Sequence, residues 1–485
     1  MQLKELLYKV EIETVVGDTS VAINKLTFDS RTIETEDVFI AIVGDKIDGH
    51  KFIEAAINKG AIAIVCQELP TIQVEGITYI LVKDTAKELA ILAANYYKNP
   101  SEELKLVGIT GTNGKTTISS LLYQLFTKLG YKVGLISTVN IKVGDEIYAT
   151  KLTTPDAITI NKYLSKMLEA GVEFCFMEVS SHGIAQFRTN GLHFTGGVFT
   201  NLSHDHLDYH PTFSAYRDVK KSFFDQLPKT AFALTNIDDK NGSLMLQNTK
   251  AKTYTYALKN NANYKAKIIE SSFGGTLLRI ADQEVWVKLI GSFNAYNMLA
   301  IYAVAELLGV EKLENLKYIS TLTPVDGRFE YFISSNKITA IVDYAHTPDA
   351  LENVLNTIND IRTKNETLFT LVGCGGDRDT TKRPLMAKIA VENSTKVILT
   401  SDNPRTENPD KIIDDMLTGI TPTEEQKTLC ITNRKQAIKT AASMAKEGDI
   451  ILIAGKGHET YQEINGERSY FNDMDYIKEF LELNQ

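Results

Sequence analysis

The sequence predicts an α/β protein of three domains, with mostly parallel sheets, a central P-loop ATPase domain and a C-terminal Rossmann-like domain. Two observations carry the class. Short apolar runs alternate with amphipathic helical patterns along the whole chain, and the connections between successive runs are long enough to hold a helix, as parallel pairing requires. A third observation sets the domain number: 485 residues is about three domains' worth at roughly 150 residues each. No internal repeat is visible.

Apolar residues make up 43% of the chain and charged residues 23%, a globular mixture that excludes long disorder and low-complexity scaffolds. Met1 to Glu5 lacks the basic patch and apolar run of a secretory signal, and no apolar stretch approaches the ~18 residues that cross a bilayer. Cys66, Cys175, Cys374 and Cys430 lie far apart with no C-x-x-C pair. Neither a disulfide framework nor a structural zinc site is expected, and a reducing cytoplasm fits. The net charge of -9, without a Lys/Arg block, argues against nucleic acid as partner. Small molecules, no membrane and a monomer are the expectation.

Taken in order, Phe39 to Val43 reads as a buried strand, Phe52 to Asn58 as a helix stopped by Gly60, and Ala61 to Val65 as another strand. Thr85 to Tyr97 is a helix, broken at Asn99-Pro100-Ser101. The first domain is therefore 1–100. A second series starts at Leu104 and runs to the turn-rich Pro324 to Arg328, giving a domain over 101–330. The third, 331–485, carries apolar runs at 338–342, 367–373, 396–400 and 449–453, each followed by a polar loop.

Leu104 to Ile109 is a compact apolar strand, followed by Thr110-Gly111-Thr112-Asn113-Gly114-Lys115-Thr116-Thr117. Ile118, Leu121, Leu122, Leu125, Phe126 and Leu129 then mark one helix face, and Lys132 to Ser137 returns as a strand. Strand, glycine loop and helix form a phosphate cradle: Gly111 and Gly114 let backbone N–H groups turn toward an anion at the helix N-terminus. Lys115 can reach the terminal phosphates, and the Thr116 hydroxyl can ligate Mg²⁺. One position departs from the general pattern, since Ile109 stands where a glycine is usual.

Glu178 ends the apolar run Val172 to Val179, where a carboxylate could hold Mg²⁺ against nucleotide phosphates. Thr200 to His210 holds His204, His206 and His210, three of eight histidines. That density also fits a zinc hydrolase, although Tyr209 separates Asp208 from His210 and the upstream phosphate loop favours Mg²⁺. Lys220 and Lys221 follow on a helical stretch, where lysines are normally exposed and need no explanation.

In the third domain, Thr347 as N-cap and Pro348 start a helix with Leu351, Val354, Leu355 and Ile358 inward. Four strands deliver polar loops to one sheet edge: Asp343-Tyr344-Ala345-His346, Cys374 to Asp379, Ser401 to Arg405 and Gly455 to Glu459. Such convergence marks a binding site. Two arginines and a glutamate suit a zwitterion with more than one carboxylate.

Together these strings resemble the Mur ligase family, the ATP-dependent amino-acid ligases of peptidoglycan precursor synthesis. Gly111 to Thr117, Glu178-Val179-Ser180-Ser181-His182, Thr200 to Asp208, Gly291 to Asn297, Gly327-Arg328 and Asp343 to His346 carry the resemblance. It covers nearly the whole chain in the family's order, and the family's loop shares the departure at Ile109.

The resemblance implies a first domain that holds a UDP sugar, with Ser30 and the Asp45-Lys46-Ile47 loop at its nucleotide. Thr153, Thr154, Ser180, Gln186 and Arg188 match positions that hold a UDP-muramoyl dipeptide. Asn297, Arg328 and Asp343 match ATP contacts, beside the loop Gly111, Thr112, Asn113, Gly114, Lys115, Thr116 and Thr117. Lys115, Glu178, His206 and Lys220 are the implied catalytic set. Thr116, Glu178, His206 and carbamylated Lys220 are implied around two Mg²⁺ ions, the carbamate replacing a repelling ammonium with anionic oxygens.

Asp402-Asn403-Pro404-Arg405 resembles a meso-diaminopimelate recognition motif, with Arg378, Gly455 and Glu459 as partners. Lysine lacks the distal carboxylate and would leave a guanidinium unpaired, a large penalty. The implied reaction activates the D-glutamyl side-chain carboxylate as an acyl phosphate and closes the domains around three ligands. A lysine-adding ligase of the same step and a folate polyglutamate ligase are the alternatives. Rivals of other kinds are the zinc hydrolase and a nucleotide-sensing module.

Overall fold

The computed structural model describes residues 1–44, 47–203 and 209–483. Expectations placed on Asp45, Lys46, His204, Asp205, His206 and Asp208 lie outside the described residues. The fold is α/β, with mostly parallel sheets in three successive stretches of chain.

The first sheet has five strands, in the order Ile12–Val16, Thr78–Val82, Ala63–Cys66, Val38–Ile40 and Leu26–Thr27. Only the first pair is antiparallel. The predicted strand at Phe39 is thus shorter than expected, ending at Ile40. Asp84 caps the helix Thr85–Tyr96 through the N–H groups of Ala86 and Lys87, and Leu89, Leu92 and Ala93 bury its inner face.

The second sheet has eleven strands. At its centre Gly196–Phe199, Lys105–Thr110 and Phe174–Glu178 run parallel, with Glu178 level with Ile109 and Phe199 level with Thr110. This register brings the ends of three strands to one edge beside the loop 111–114. Both flanks turn antiparallel, through Val133–Ile136 to Ile141–Val143 on one side and the meander Tyr264–Ser272, Gly275–Ile280 and Gln283–Val287 on the other. That meander is absent from the expected pattern, because its alternating polar residues resemble a loop-rich stretch more than a buried βα unit.

The helix Lys115–Lys128 packs Ile118, Leu121, Leu122, Leu125 and Phe126 into the apolar core on one face of this sheet. On the other face the helix Phe213–Asp225 lies very close to the strands. A Cβ at Gly108 would stand 2.7 Å from Phe223, and one at Gly197 would stand 2.9 Å from it. Glycine in both strands admits this approach. Fully burying each large apolar side chain is worth about 1.5–3 kcal/mol, so these two faces dominate the stability of this stretch.

The third sheet has six strands, ordered Glu330–Ile333, Thr339–Asp343, Ile450–Ala454, Leu368–Val372, Lys396–Leu399 and Thr428–Cys430. All but the first pair are parallel. Thr347 caps the helix Pro348–Ile361 by accepting the Ala350 N–H, as the sequence predicts. A fully buried pair, Arg434 with Asp473, ties two helix starts together at 2.7 Å, and Arg434 also donates to the Ala454 carbonyl. The cysteines at 66, 175, 374 and 430 are free. No helix among the described residues is long and apolar enough to cross a membrane.

Candidate active site

One cleft of about 1940 Å³ runs between the second and third sheets, and the polar loops at the strand ends line it. At its centre the loop 111–114 has an unusual backbone. Gly111 and Gly114 take φ of +147° and +91°, and a Cβ on Gly111 would meet the Thr200 hydroxyl at 1.9 Å. Thr200 and Asn201 clasp the loop: the Thr200 hydroxyl donates to the Asn113 carbonyl at 2.6 Å, and Asn201 Oδ1 accepts the Asn113 N–H at 2.9 Å. Gly114 is the N-cap of the following helix and offers no side chain to its N–H groups. A cradle that admits only glycine, at an uncapped helix start, fits phosphate oxygens. Lys115 Nζ meanwhile donates to the carbonyls of Gly111 and Thr112, at 2.9 and 2.7 Å.

Beside the loop, the buried Glu178 carboxylate gathers donors. It accepts the Thr116 hydroxyl at 3.0 Å, the Thr138 N–H at 2.8 Å and the Thr138 hydroxyl at 3.1 Å. The Thr116 hydroxyl in turn accepts Arg328 Nη2 at 3.2 Å. Hard oxygens from one carboxylate and one hydroxyl, next to a phosphate cradle, suit Mg²⁺, which takes few protein ligands and keeps phosphates and waters. No cluster of three or more His, Cys, Asp or Glu that could hold a metal occurs among the described residues.

Lys220 corrects the expectation of an exposed lysine. It is 1% exposed, and Lys221 is also buried. Lys220 lies on the helix face with Tyr216 and Phe223, its Nζ 4.7 Å from the Tyr216 ring and donating to the Gly111 carbonyl at 2.9 Å. Lys221 instead pairs with Asp225.

Asn297 lies against the loop, its Oδ1 2.7 Å from where a Gly114 Cβ would stand. Asp343 accepts the Phe329 N–H at 2.6 Å, and burial pushes its carboxyl up to about 6 against the opposing pull of Arg328. The Arg328 guanidinium stacks 4.3 Å from the centre of the Tyr344 ring. Burial holds the neighbouring His458 down at about 3, so its imidazole is neutral at neutral pH. Across the cleft Asn113 Nδ2 donates to Asp349 at 2.9 Å, joining the phosphate loop to the third sheet's first helix.

At one end of the cleft lie Thr153, Ser180 and Arg188. Arg188 donates to the Thr154 carbonyl and to Gln186 Oε1, and burial lowers its pKa. Thr154 is fully buried, its hydroxyl bridging the Glu178 carbonyl and the Ser180 N–H. Thr154 and Gln186 stand behind the lining, and Ser30 lies apart in the first stretch, its carbonyl accepting Lys59.

At the other end Arg378, Asp402, Asn403, Arg405, Gly455 and Glu459 meet. Arg405 has φ of +52° and donates to the Gly376 carbonyl at 2.6 Å. Asn403 Nδ2 donates to Glu459 at 2.7 Å, while its Oδ1 accepts the fully buried Lys456 ammonium at 3.0 Å. Lys456 also pairs with Glu459. Pro404 supplies backbone only: its carbonyl would stand 1.9 Å from a Cβ on Gly376.

Thr138 escapes the sequence motifs, whereas Lys456 and Asp349 stand in strand-end loops that the sequence singles out without giving either a role. Thr138 sits in a short polar turn after a strand, without a motif. Lys456, in Gly455-Lys456-Gly457, was legible as a candidate.

Comparison with known proteins shows the family. Residues 22–97 match the Mur ligase family catalytic domain, 109–305 the Mur ligase middle domain, and 327–457 the Mur ligase glutamate ligase domain. The UDP-N-acetylmuramoyl-L-alanyl-D-glutamate–2,6-diaminopimelate ligase of Cytophaga hutchinsonii is 53% identical over 483 residues, 99% of each chain. Its namesake from Phocaeicola vulgatus is 52% identical over 481 residues, again 99% of each. A solved structure of a ligase of the same name superposes with a TM-score of 0.71 at 33% identity, covering 100% of this chain and 99% of the other. With a glycine cradle, an adjacent carboxylate and a cationic loop cluster in one cleft, and full-length relatives of this kind, the chain belongs to the Mur ligase family.

Proposed function

We propose that this protein joins meso-diaminopimelate to the D-glutamate side-chain carboxylate of UDP-N-acetylmuramoyl-L-alanyl-D-glutamate, consuming ATP, in peptidoglycan precursor synthesis. The observation that carries the reading is the meeting, in one cleft, of the phosphate loop with the Arg378, Asn403, Arg405 and Glu459 cluster. Relatives that share about half of all residues are named for diaminopimelate, which disfavours both the lysine-adding and the folate alternatives. Membership of the family sets aside the zinc-hydrolase and sensor readings. The same proposal divides the chain at 1–100, 101–330 and 331–485, and has it work as a monomer in the cytoplasm.

In the proposed reaction, an oxygen of the glutamyl carboxylate attacks the γ-phosphorus of ATP, the bond to the β-phosphate oxygen breaks, and ADP leaves. The diaminopimelate amine then attacks the acyl phosphate carbonyl. The C–N bond forms, phosphate departs with the C–O electron pair, and the amine loses its proton. Lys115 turns from the loop carbonyls to the phosphates, and Arg328 adds a second cation near the transferring group. Asn297 and Asp343 hold the nucleoside.

Thr116 and Glu178, with His206, would hold Mg²⁺, and two ions are proposed. Bound Mg²⁺ supplies neutralisation of charge on the phosphate oxygens. Lys220 is proposed to react with CO₂, its neutral amine forming an N–C bond and releasing a proton to leave an anionic carbamate. Thr153, Ser180 and Arg188, supported by Thr154 and Gln186 behind them, form the proposed muramoyl-dipeptide region, and Ser30, apart in the first stretch, is proposed to meet the uridine nucleotide of the same substrate.

Mass analysis of the product tests the reading. The UDP-muramoyl dipeptide should gain one diaminopimelate minus water, only with ATP present. Preferential gain of lysine, or gain without ATP, would defeat it.

A further inference from the structure

We propose that Arg383 and Glu407 are positioning residues that set amino-acid specificity from behind the cleft, an inference that rests on the ligase reading above. Arg383 lies on the helix Lys382–Asn393 and is 1% exposed. Its Nη2 donates to both Glu407 carboxylate oxygens, at 2.8 and 2.9 Å, and its Nη1 donates to Asp415 at 2.8 Å. Glu407 then accepts the Asp377 N–H at 2.5 Å. The Asp377 carboxylate accepts the Thr406 hydroxyl at 2.7 Å and its N–H at 3.3 Å. A backbone bond, Gly376 N–H to the Asn403 carbonyl at 2.9 Å, closes the circuit.

This chain of bonds knits together the two loops that present Arg378 and Arg405. Both loops bend through left-handed backbone at a non-glycine residue, Asp377 at φ +54° and Arg405 at φ +52°. Such conformations persist only where the surroundings hold them: at Asp377 the holding contact runs through Glu407 to Arg383, while the Arg405 backbone is also fixed by the Glu463 carbonyl and the Asn465 N–H. Asp377, Arg378, Asn403 and Arg405 line the cleft, whereas Arg383 and Glu407 do not.

Their effect on a ligand is therefore indirect. A guanidinium recognises a carboxylate by a planar two-point fit, so the spacing of Arg378 and Arg405 decides whether a second carboxylate is read. Released loops would still fold over the cleft but would present the two cations in the wrong register.

The test compares wild type, Arg383→Met and Glu407→Gln, with kcat and KM measured for all three substrates and with lysine as competitor. The inference expects KM for diaminopimelate to rise about tenfold or more, as a displacement of roughly 1 Å can produce. Preference over lysine should fall by the same factor, while kcat and the KM values for ATP and the UDP-muramoyl dipeptide stay within about twofold. An unchanged KM for diaminopimelate, or an equal rise for all three substrates, overturns it. If Arg383→Met does not fold, Glu407→Gln decides alone, since that side chain is partly exposed. A wild-type protein unable to join diaminopimelate would sink the ligase reading and this inference with it. An active wild type matched by both variants would sink only the inference.

Discussion

Replacing Asp343 with Asn measures the cost of placing a buried charge at the end of the strand Thr339–Asp343, where the third sheet meets the cleft. Burial raises the Asp343 carboxyl from 3.8 to about 6. The native state therefore holds this proton more tightly than the unfolded chain does. The group's contribution is fully present below pH 3.8 and is lost as pH rises through 6. The difference between 3.8 and about 6, at about 1.36 kcal/mol for each tenfold change in proton affinity, amounts to about 3 kcal/mol. Asn cannot ionise, but its single carbonyl oxygen replaces a carboxylate that accepts more than one backbone N–H, a loss of about 1 kcal/mol.

The variant should thus match wild type near pH 4.5 and exceed it by about 2 kcal/mol at pH 7.5, once that 1 kcal/mol is subtracted. His458 and other titrating groups are shared by both proteins and cancel. Calorimetric scans of the ligand-free proteins at the two pH values give the answer. The third-sheet transition should rise by about 4–8 °C in Asp343→Asn at pH 7.5 and stay level at pH 4.5. A variant less stable than wild type at pH 7.5, or a difference independent of pH, would refute the reasoning about the buried carboxylate.

Three further outcomes follow from the same geometry. Lys220→Ala should lose most activity and regain part of it when a short carboxylic acid is supplied; full activity without the acid would dispose of the carbamate. Thr138→Val removes one hydroxyl from the Glu178 carboxylate while keeping the backbone donor. It should raise the Mg²⁺ concentration needed for half-maximal activity about tenfold, and an unchanged titration would count against Glu178 as a ligand. Asp473→Asn should strip the fully buried Arg434 of its partner and cost about 3–5 kcal/mol in denaturant unfolding, whereas a loss under about 1 kcal/mol would show the pair to be dispensable.

Much of the fold and of the phosphate loop is legible in the sequence. The helix face from Ile118 to Phe126 and the cap at Thr347 follow from periodicity and capping chemistry alone, and the structure places both as read. The phosphate loop is legible because its glycines serve backbone geometry that no other residue supplies. Lys220 is buried against the general expectation for lysine, and the sequence carries a signal of it: Tyr216, Lys220, Phe223 and Phe224 follow helical spacing, which puts the lysine in the middle of an apolar stripe. Thr138 was invisible because its contact with Glu178 joins strand ends 40 residues apart, and only the parallel register brings them together. Asn113 and Asp349, 236 residues apart, meet only where the loops of two different sheets face each other across the cleft. The antiparallel meander at 264–287 was missed because one of its faces is polar, which breaks the pattern of a fully buried strand.

The central claim is that the carboxylate receives phosphate before the amine arrives. It is tested most directly with a UDP-muramoyl dipeptide carrying ¹⁸O in its D-glutamyl side-chain carboxylate. Mass analysis should find one ¹⁸O in each phosphate released as diaminopimelate is joined. Phosphate free of the label, with product formed at the usual rate, would contradict the account.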